Sequence, residues 1–157
     1  MKYTRLTKEQ LEELHREFIN FLAAQTITVQ EWDAIKKDKP EVAEQELDVF
    51  SDLIWEGVLS KAEFLENISN HQLFLFKLEE TSMRLIVVKV TDTSIDLTTS
   101  EGYKWLQQNF TSDEVEFLQA SKEYSEDKHK DIFELVQQGS VITKGDLYQF
   151  FERLVNN

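Results

Sequence analysis

The sequence contains no cysteine, a single proline and only four glycines. Without cysteine the chain has no disulfide bonds, no thiolate metal ligands and no cysteine nucleophile. So few glycines also leave no Gly-rich loop that could cradle nucleotide phosphates, and no Gly-x-Ser-x-Gly turn that would expose a catalytic serine. These absences favour a non-enzymatic protein, and they indicate no cofactor.

Basic residues are scarce as well: 17 lysines and arginines face 30 aspartates and glutamates, for a net charge of -13. Because phosphate contacts require clustered Lys and Arg, we expect no nucleic-acid partner. No uncharged run approaches the roughly 18 apolar residues that a membrane span needs. The segment Met1–Thr7 does not lead into the apolar run of a signal peptide. We therefore expect a cytoplasmic protein that binds neither nucleic acid nor membrane.

Apolar residues are nevertheless abundant, at 41% of the chain, with 11 Phe and 3 Trp. This composition is unlike that of disordered chains, and 157 residues suffice for one domain with a real core. We predict a single domain, 1–157, in three regions: a helical hairpin region (1–60), a β-hairpin region (61–98) and C-terminal helices (99–157).

A helix-start pattern, apolar-Thr-x-x-(Glu/Gln/Asp)-apolar, occurs four times. In each copy the Thr hydroxyl can accept a hydrogen bond from a free amide of the first turn, while the apolar pair clamps the entry. The threonines are Thr7, Thr28, Thr111 and Thr143. The pattern predicts four helix N-termini. Together with apolar residues at helical spacing, it predicts helices over about 8–24, 29–37, 41–59, 100–110, 112–124 and 126–138, and a last one after Thr143.

The middle of the chain changes period. Gln72–Leu78 and Met83–Val90 are apolar runs separated by four polar residues, which predicts a β-hairpin, and Ala62–Ile68 is a candidate third strand. Both faces of these strands are apolar, so both must be covered, either by helices or by a second copy in a homodimer. The expected class is α+β: predominantly helical, with a central antiparallel β-hairpin of two to three strands flanked by N-terminal and C-terminal helices.

One predicted helix carries an acidic row at spacings of three and four residues, which places its members along one face. The row consists of Glu41, Glu44, Asp48, Asp52 and Glu56. It predicts a docking surface for a basic protein partner, with Trp55 beside it as a candidate anchor. The plainer interpretation, a solvated face opposite the core, remains open.

The alternative function is a metal-dependent enzyme. Glu12-x-x-His15 and Glu126-x-x-His129 have the i, i+3 spacing that di-metal carboxylate bundles use. Such sites also require inward glutamates from two further long helices, and the short predicted helices do not supply them. The plain interpretation is two histidines at the edge of the core beside solvated acids.

Three stretches, Met1–Leu11, Glu17–Ala24 and Phe50–Glu56, resemble a family of uncharacterised Bacteroidetes proteins, a domain of unknown function. The resemblance lies mainly in the first 70 residues. It implies a cytoplasmic bacterial protein without established activity, and it transfers no catalytic residue.

Overall fold

The computed structural model describes residues 1–156 and confirms the α+β class. The helices are α1 (Lys8–Glu13), α2 (His15–Ala24), α3 (Val29–Asp38), α4 (Pro40–Lys61), α5 (Ser100–Asn109), α6 (Lys128–Gln137) and α7 (Asp146–Val155). The strands are β1 (Phe64–Ile68), β2 (Gln72–Leu78), β3 (Ser82–Val90), β4 (Val115–Glu123) and β5 (Val141–Thr143). They form two compact units that divide after Ser60. This division coincides with the predicted end of the first region; the single domain stays a prediction.

The first unit holds α1 to α4, and its helix starts follow the capping pattern. Thr7 accepts a hydrogen bond from the Gln10 amide and completes a capping box, and Thr28 caps α3 through the Glu31 amide. The helix predicted over 8–24 is interrupted at Leu14, which separates α1 from α2. Pro40 occupies the first position of α4, where a missing N–H costs nothing.

Aromatic rings form the core of this unit. The Phe18 ring meets the rings of Trp32 and Phe50 edge-on, with centroids 5.1 and 5.0 Å apart. Such edge-to-face pairs add to the free energy gained by burial. Leu6, Leu22 and Ala43 complete the buried cluster. Helices α2, α3 and α4, together with the segment before α1, therefore share one core.

The second unit is built on a five-stranded antiparallel sheet with the order β4-β3-β2-β1-β5. The predicted hairpin is β2 and β3, and the candidate third strand is confirmed as β1. A sheet of two to three strands was too small a prediction, because β4 and β5 lie in the region expected to be only helical. The hairpin is consequently interior, with β1 and β4 as its neighbours.

The helix predicted over 112–124 is wrong, since β4 occupies most of it. The segment Glu116–Glu123 contains Glu, Leu, Gln, Ala and Lys, all good helix formers, and Thr111 imitates a cap. In the structure every residue of β4 is paired with one of β3. A paired partner strand outweighs local preferences that amount to a few tenths of a kcal/mol per residue.

The two faces of the sheet are covered by different helices. On one, which we name the α7 face, Leu75 and Ile86 belong to a buried cluster with Leu106 of α5 and Tyr148 of α7. On the other, the α6 face, Leu135 of α6 lines a cavity together with Phe76 and Leu85. Helices border both faces of the hairpin, as its doubly apolar strands require.

The entry to α7 differs from the prediction. Thr143 ends β5 rather than capping a helix, and its hydroxyl accepts from the Gly145 amide. Gly145 is the N-cap, with φ +87°, and a Cβ there would lie 2.4 Å from the Phe64 ring. Only glycine allows both this backbone and this close approach.

Candidate functional site

The acidic row of α4 binds the start of its own chain, residues 1–6, which we name the N-terminal arm. The Arg5 guanidinium donates from Nε to Asp48 Oδ1 at 2.8 Å, and it also pairs with Glu44. The hydrogen bonds that Arg5 donates to Asp48, and then those to Glu44, raise the pKa of Arg5 further above its usual range. Arginine is suited to this position because its planar fork can serve two carboxylates at once.

The next two carboxylates along α4 bind the first residues of the arm. Asp52 accepts hydrogen bonds from the backbone amides of Lys2 and Tyr3 at 2.7 and 2.9 Å. The Tyr3 hydroxyl donates to Glu56 at 2.7 Å, and the Lys2 ammonium lies 3.6 Å from the same carboxylate. Burial, and then the hydrogen bond to Glu56, raise the pKa of Tyr3 to about 12. The row therefore contacts the arm through backbone and side chains alike.

A buried serine anchors the end of the arm. The side chain of Ser51 is fully buried. Its hydroxyl accepts a hydrogen bond from the Leu6 amide at 3.0 Å and donates one to the Leu47 carbonyl at 2.7 Å. The Leu6 side chain is only 6% exposed and belongs to the aromatic core. The arm is thus attached by apolar burial as well as by charge.

The remaining members of the predicted docking surface lie differently. Glu41 is exposed, and Trp55 is half-buried and packs against the core of the first unit. Docking of a basic partner on this surface stays a prediction. Such a partner would have to compete with Arg5, Tyr3 and the two amides for the same carboxylates.

The residues of the metal alternative do not form a centre. Glu12 lies in α1 and His15 begins α2, and both line an open cavity of about 430 Å³ beside Trp32. Glu126 precedes α6, whereas His129 lies within it, so this pair does not share a helix face. Within residues 1–156, no three His, Asp or Glu side chains are placed to hold a metal ion. No observation supports the metal-enzyme alternative.

The outer edge of β4 is an open edge of the sheet. Its nine residues pair with β3 on one side, and in the order of the sheet no strand follows on the other. Every side chain from Glu116 to Glu123 is exposed, including Leu118 at 61%. A long, exposed edge strand offers unpaired backbone groups to another chain.

The hydrogen bonds at the two ends of the β3–β4 pair show which residues of β4 bond to β3 and which have amides that face outward. We call this alternation the hydrogen-bond phase of β4. The backbone amide of Thr91 donates to the Glu114 carbonyl at 2.8 Å, and the backbone amide of Tyr124 donates to the Thr81 carbonyl at 3.4 Å. Along an antiparallel strand the backbone N–H and C=O groups of successive residues point alternately to one side and the other. Because Glu114 and Tyr124 both bond toward β3, the backbone groups of the even-numbered residues of β4 point to β3. The N–H and C=O groups of Phe117, Gln119, Ser121 and Glu123 consequently point away from the sheet.

The opposite edge of the sheet is much smaller. β5 has three residues, Val141–Thr143, and pairs with β1 over those three positions only. Very short edge strands are one device by which proteins prevent edge-to-edge association. β4 is nine residues long and contains no proline, and the charged side chains along it are Glu116, Lys122 and Glu123.

Two small cavities adjoin β4. One, of about 310 Å³, has a polar lining that includes Arg84, Gln119 and Tyr148. The other, of about 240 Å³ on the α6 face, is lined by Leu85, Leu135 and Ala120 among others. The second cavity offers apolar space directly beside the open edge.

The prediction from sequence missed β4 altogether. A weak signal was present, because Val115 and Phe117 are residues of high β propensity that alternate with Glu116. The Thr111 pattern and the following helix formers obscured it.

A model of a family of unknown function, DUF6495, matches residues 1–156. This match extends well past the first 70 residues, where the resemblance from sequence was concentrated. No protein of curated function and no solved structure matches the chain. Across the described residues, no helix combines the length and the apolar composition that crossing a bilayer requires.

Proposed function

The chain belongs to the DUF6495 family of unknown function, and we propose that it is a non-enzymatic interaction or assembly protein. In this proposal the outer edge of β4 pairs with an extended strand of another polypeptide. The carrying observation is the outward row of amides and carbonyls at Phe117, Gln119, Ser121 and Glu123. Edge-strand addition takes its affinity from such main-chain hydrogen bonds.

The chemistry of the edge supports a peptide strand as the occupant. Backbone groups at alternate residues match the two-residue repeat of an extended chain. The side chains beside them are mixed, with Phe117 and Leu118 among Glu116, Lys122 and Glu123. A mixed row of this kind suits a partner with both apolar and charged side chains.

The acidic row is the second candidate surface, and the specific observation in its favour is that it already holds a basic segment. A basic partner would displace the N-terminal arm from Glu44, Asp48, Asp52 and Glu56. This exchange predicts that deletion of residues 1–5 strengthens binding of a basic peptide with the sequence of the arm. Cytoplasmic location and origin in Bacteroidetes stay predictions from sequence.

The β4 proposal is tested by photo-crosslinking in the native host, with a photoreactive phenylalanine analogue in place of Phe117. We expect an adduct that mass spectrometry locates on one extended segment of an identified chain. Gln119→Pro removes an outward amide where proline is tolerated on an edge strand, so it should abolish the adduct. The matched control Gln119→Ala keeps the amide and should keep the adduct.

A placement control uses the same analogue at Lys104, an exposed position of α5. An adduct that forms equally from position 104, or that survives Gln119→Pro, would contradict pairing at the edge. Absence of any adduct from position 117 would also overturn the proposal.

A further inference from the structure

The sequence of β4 is complementary to itself. If two copies of Val115–Glu123 are laid antiparallel about Gln119, Glu116 of each copy falls opposite Lys122 of the other. Opposite charges placed directly across two strands stabilise the pair. A parallel arrangement in register would instead place Glu116 against Glu116. The charges thus distinguish one orientation and one register.

The hydrogen-bond phase agrees with the same register. Gln119 is an outward residue, so Gln119 of the two copies can exchange two backbone hydrogen bonds across a two-fold axis. Phe117 then pairs with Ser121 in the same manner. Glu116 and Lys122 fall at the positions between, where facing Cα atoms approach to about 4.5 Å and side chains are closest. Charge pattern and backbone phase are independent observations, and they select the same alignment.

The apolar side chains are also matched by size. In this register Leu118 of one copy lies opposite Ala120 of the other. Ala120 lines the cavity of about 240 Å³ on the α6 face, which is also lined by Leu85 and Leu135. A large exposed residue therefore meets a small one beside apolar space.

The neighbour of Lys122 on β3 leaves the charge of this lysine available to a second copy. Lys122 faces Met83, an apolar residue, across β3, while Glu116 faces Lys89. Lys122 therefore has no carboxylate opposite it on β3, and Glu116 of a second copy would supply one from the outer side. Both side chains are exposed.

We infer that the strand that pairs with β4 is β4 of a second copy of this chain, antiparallel and centred on Gln119, which joins two five-stranded sheets into one. This inference rests on the proposed function and names its partner. The net charge of -13 on each copy opposes association, and an edge contact is narrow. We therefore expect a dimer that forms reversibly with rising protein concentration.

The register is tested with cysteine, since the 157 residues of the sequence contain none. Gln119→Cys places two thiols across the two-fold axis, where Cα atoms about 5.5 Å apart permit a disulfide. We expect a disulfide-linked dimer under mild oxidation. Phe117→Cys alone should give little dimer, because the two thiols would lie about 13 Å apart along the strands. Mixing the Phe117→Cys and Ser121→Cys variants should restore the disulfide-linked dimer, because residue 117 of one copy lies opposite residue 121 of the other. Lys104→Cys on α5 controls for random collision.

Charge exchange provides a test that does not depend on oxidation. By sedimentation, Glu116→Lys and Lys122→Glu should each weaken self-association at least tenfold, because each places like charges opposite one another twice. A mixture of the two variants should form heterodimers, and the double variant Glu116→Lys/Lys122→Glu should recover association. The matched control Glu123→Lys makes the same charge change opposite Val115 and should have little effect.

The outcomes separate this inference from the proposed function. A monomer at all concentrations, or dimers that Glu116→Lys does not weaken, would overturn the β4 to β4 pairing. If the crosslink from position 117 then joins a different chain and still depends on the Gln119 amide, the proposed function stands without the inference. A monomer that also gives no edge-dependent crosslink would contradict both.

Discussion

The acidic row of α4 and the outer edge of β4 are both rows of polar groups at the surface, but only the first has a partner in the described chain. The row holds the N-terminal arm through Arg5, Tyr3 and two backbone amides. The edge presents its outward amides without a neighbouring strand in the sheet. A conspicuous charge pattern therefore marks an intramolecular contact, while a segment without a clear pattern forms the open surface.

The largest expected effect concerns the apolar anchor of the arm. Leu6→Ala should lower the free energy of unfolding by about 2 to 5 kcal/mol, because it leaves a cavity in the aromatic core. Leu118→Ala removes an exposed side chain of β4 and should change stability in dilute solution by less than about 0.5 kcal/mol. Urea unfolding measures both. Equal losses in the two variants would remove the distinction between an occupied and an open surface.

The next effect concerns the buried hydroxyl. Ser51→Ala leaves the Leu6 amide without its acceptor, so we expect a loss of about 1 to 3 kcal/mol in urea unfolding. The control Ser60→Ala alters an exposed serine of the same helix that bonds only the nearby Gly57 carbonyl. It should cost less than about 0.5 kcal/mol. A loss from Ser51→Ala no greater than that of the control would show that the arm is not anchored at Leu6.

The charged contacts of the arm should contribute less. Arg5→Ala should cost about 1 kcal/mol or less, since exposed ion pairs are weak. The loss should shrink as salt is added, because salt screens the attraction to Glu44 and Asp48. Thermal unfolding at low and high salt checks both points, with Arg16→Ala on the exposed surface of α2 as the control. A loss that does not respond to salt would indicate that the Arg5 stem acts by packing instead.

The last expected effect is on titration. The fold raises the pKa of Tyr3 from 10.0 to about 12 by burial and by the Glu56 hydrogen bond, so it favours the neutral phenol. The resulting stabilisation is complete below pH 10 and is lost as the pH rises from 10 to about 12. The absorbance titration of wild type minus Tyr3→Phe should have its midpoint near pH 12. In a Glu56→Gln background the midpoint should fall toward 10; an unchanged midpoint would contradict the contact.

The two surfaces also show how far prediction from sequence reached. The alignment of Glu44, Asp48, Asp52 and Glu56 on one helix face follows from their spacing, and all four carboxylates contact the N-terminal arm. Their ligand could not be predicted, because the contacting residues of the arm lie 39 to 53 residues away in sequence, and no local rule connects Arg5 to Asp48. For β4 even the secondary structure was wrong, because pairing with β3 decides it and the local propensity of the segment favours a helix.

Local rules determined the elements whose signals lie within a few residues: the caps at Thr7 and Thr28, the start of α4 at Pro40, and the β2–β3 hairpin. These depend on side chains that bond the nearest amides, on the missing N–H of proline, and on two apolar runs joined by a short polar connection. Tertiary structure alone decided that the acidic row would be filled from within the chain, and that residues 115–123 would extend the sheet and leave one edge open. Both outcomes depend on backbone groups and charges that meet only after the chain has folded, and the free energy of those contacts exceeds the local preferences of the residues involved.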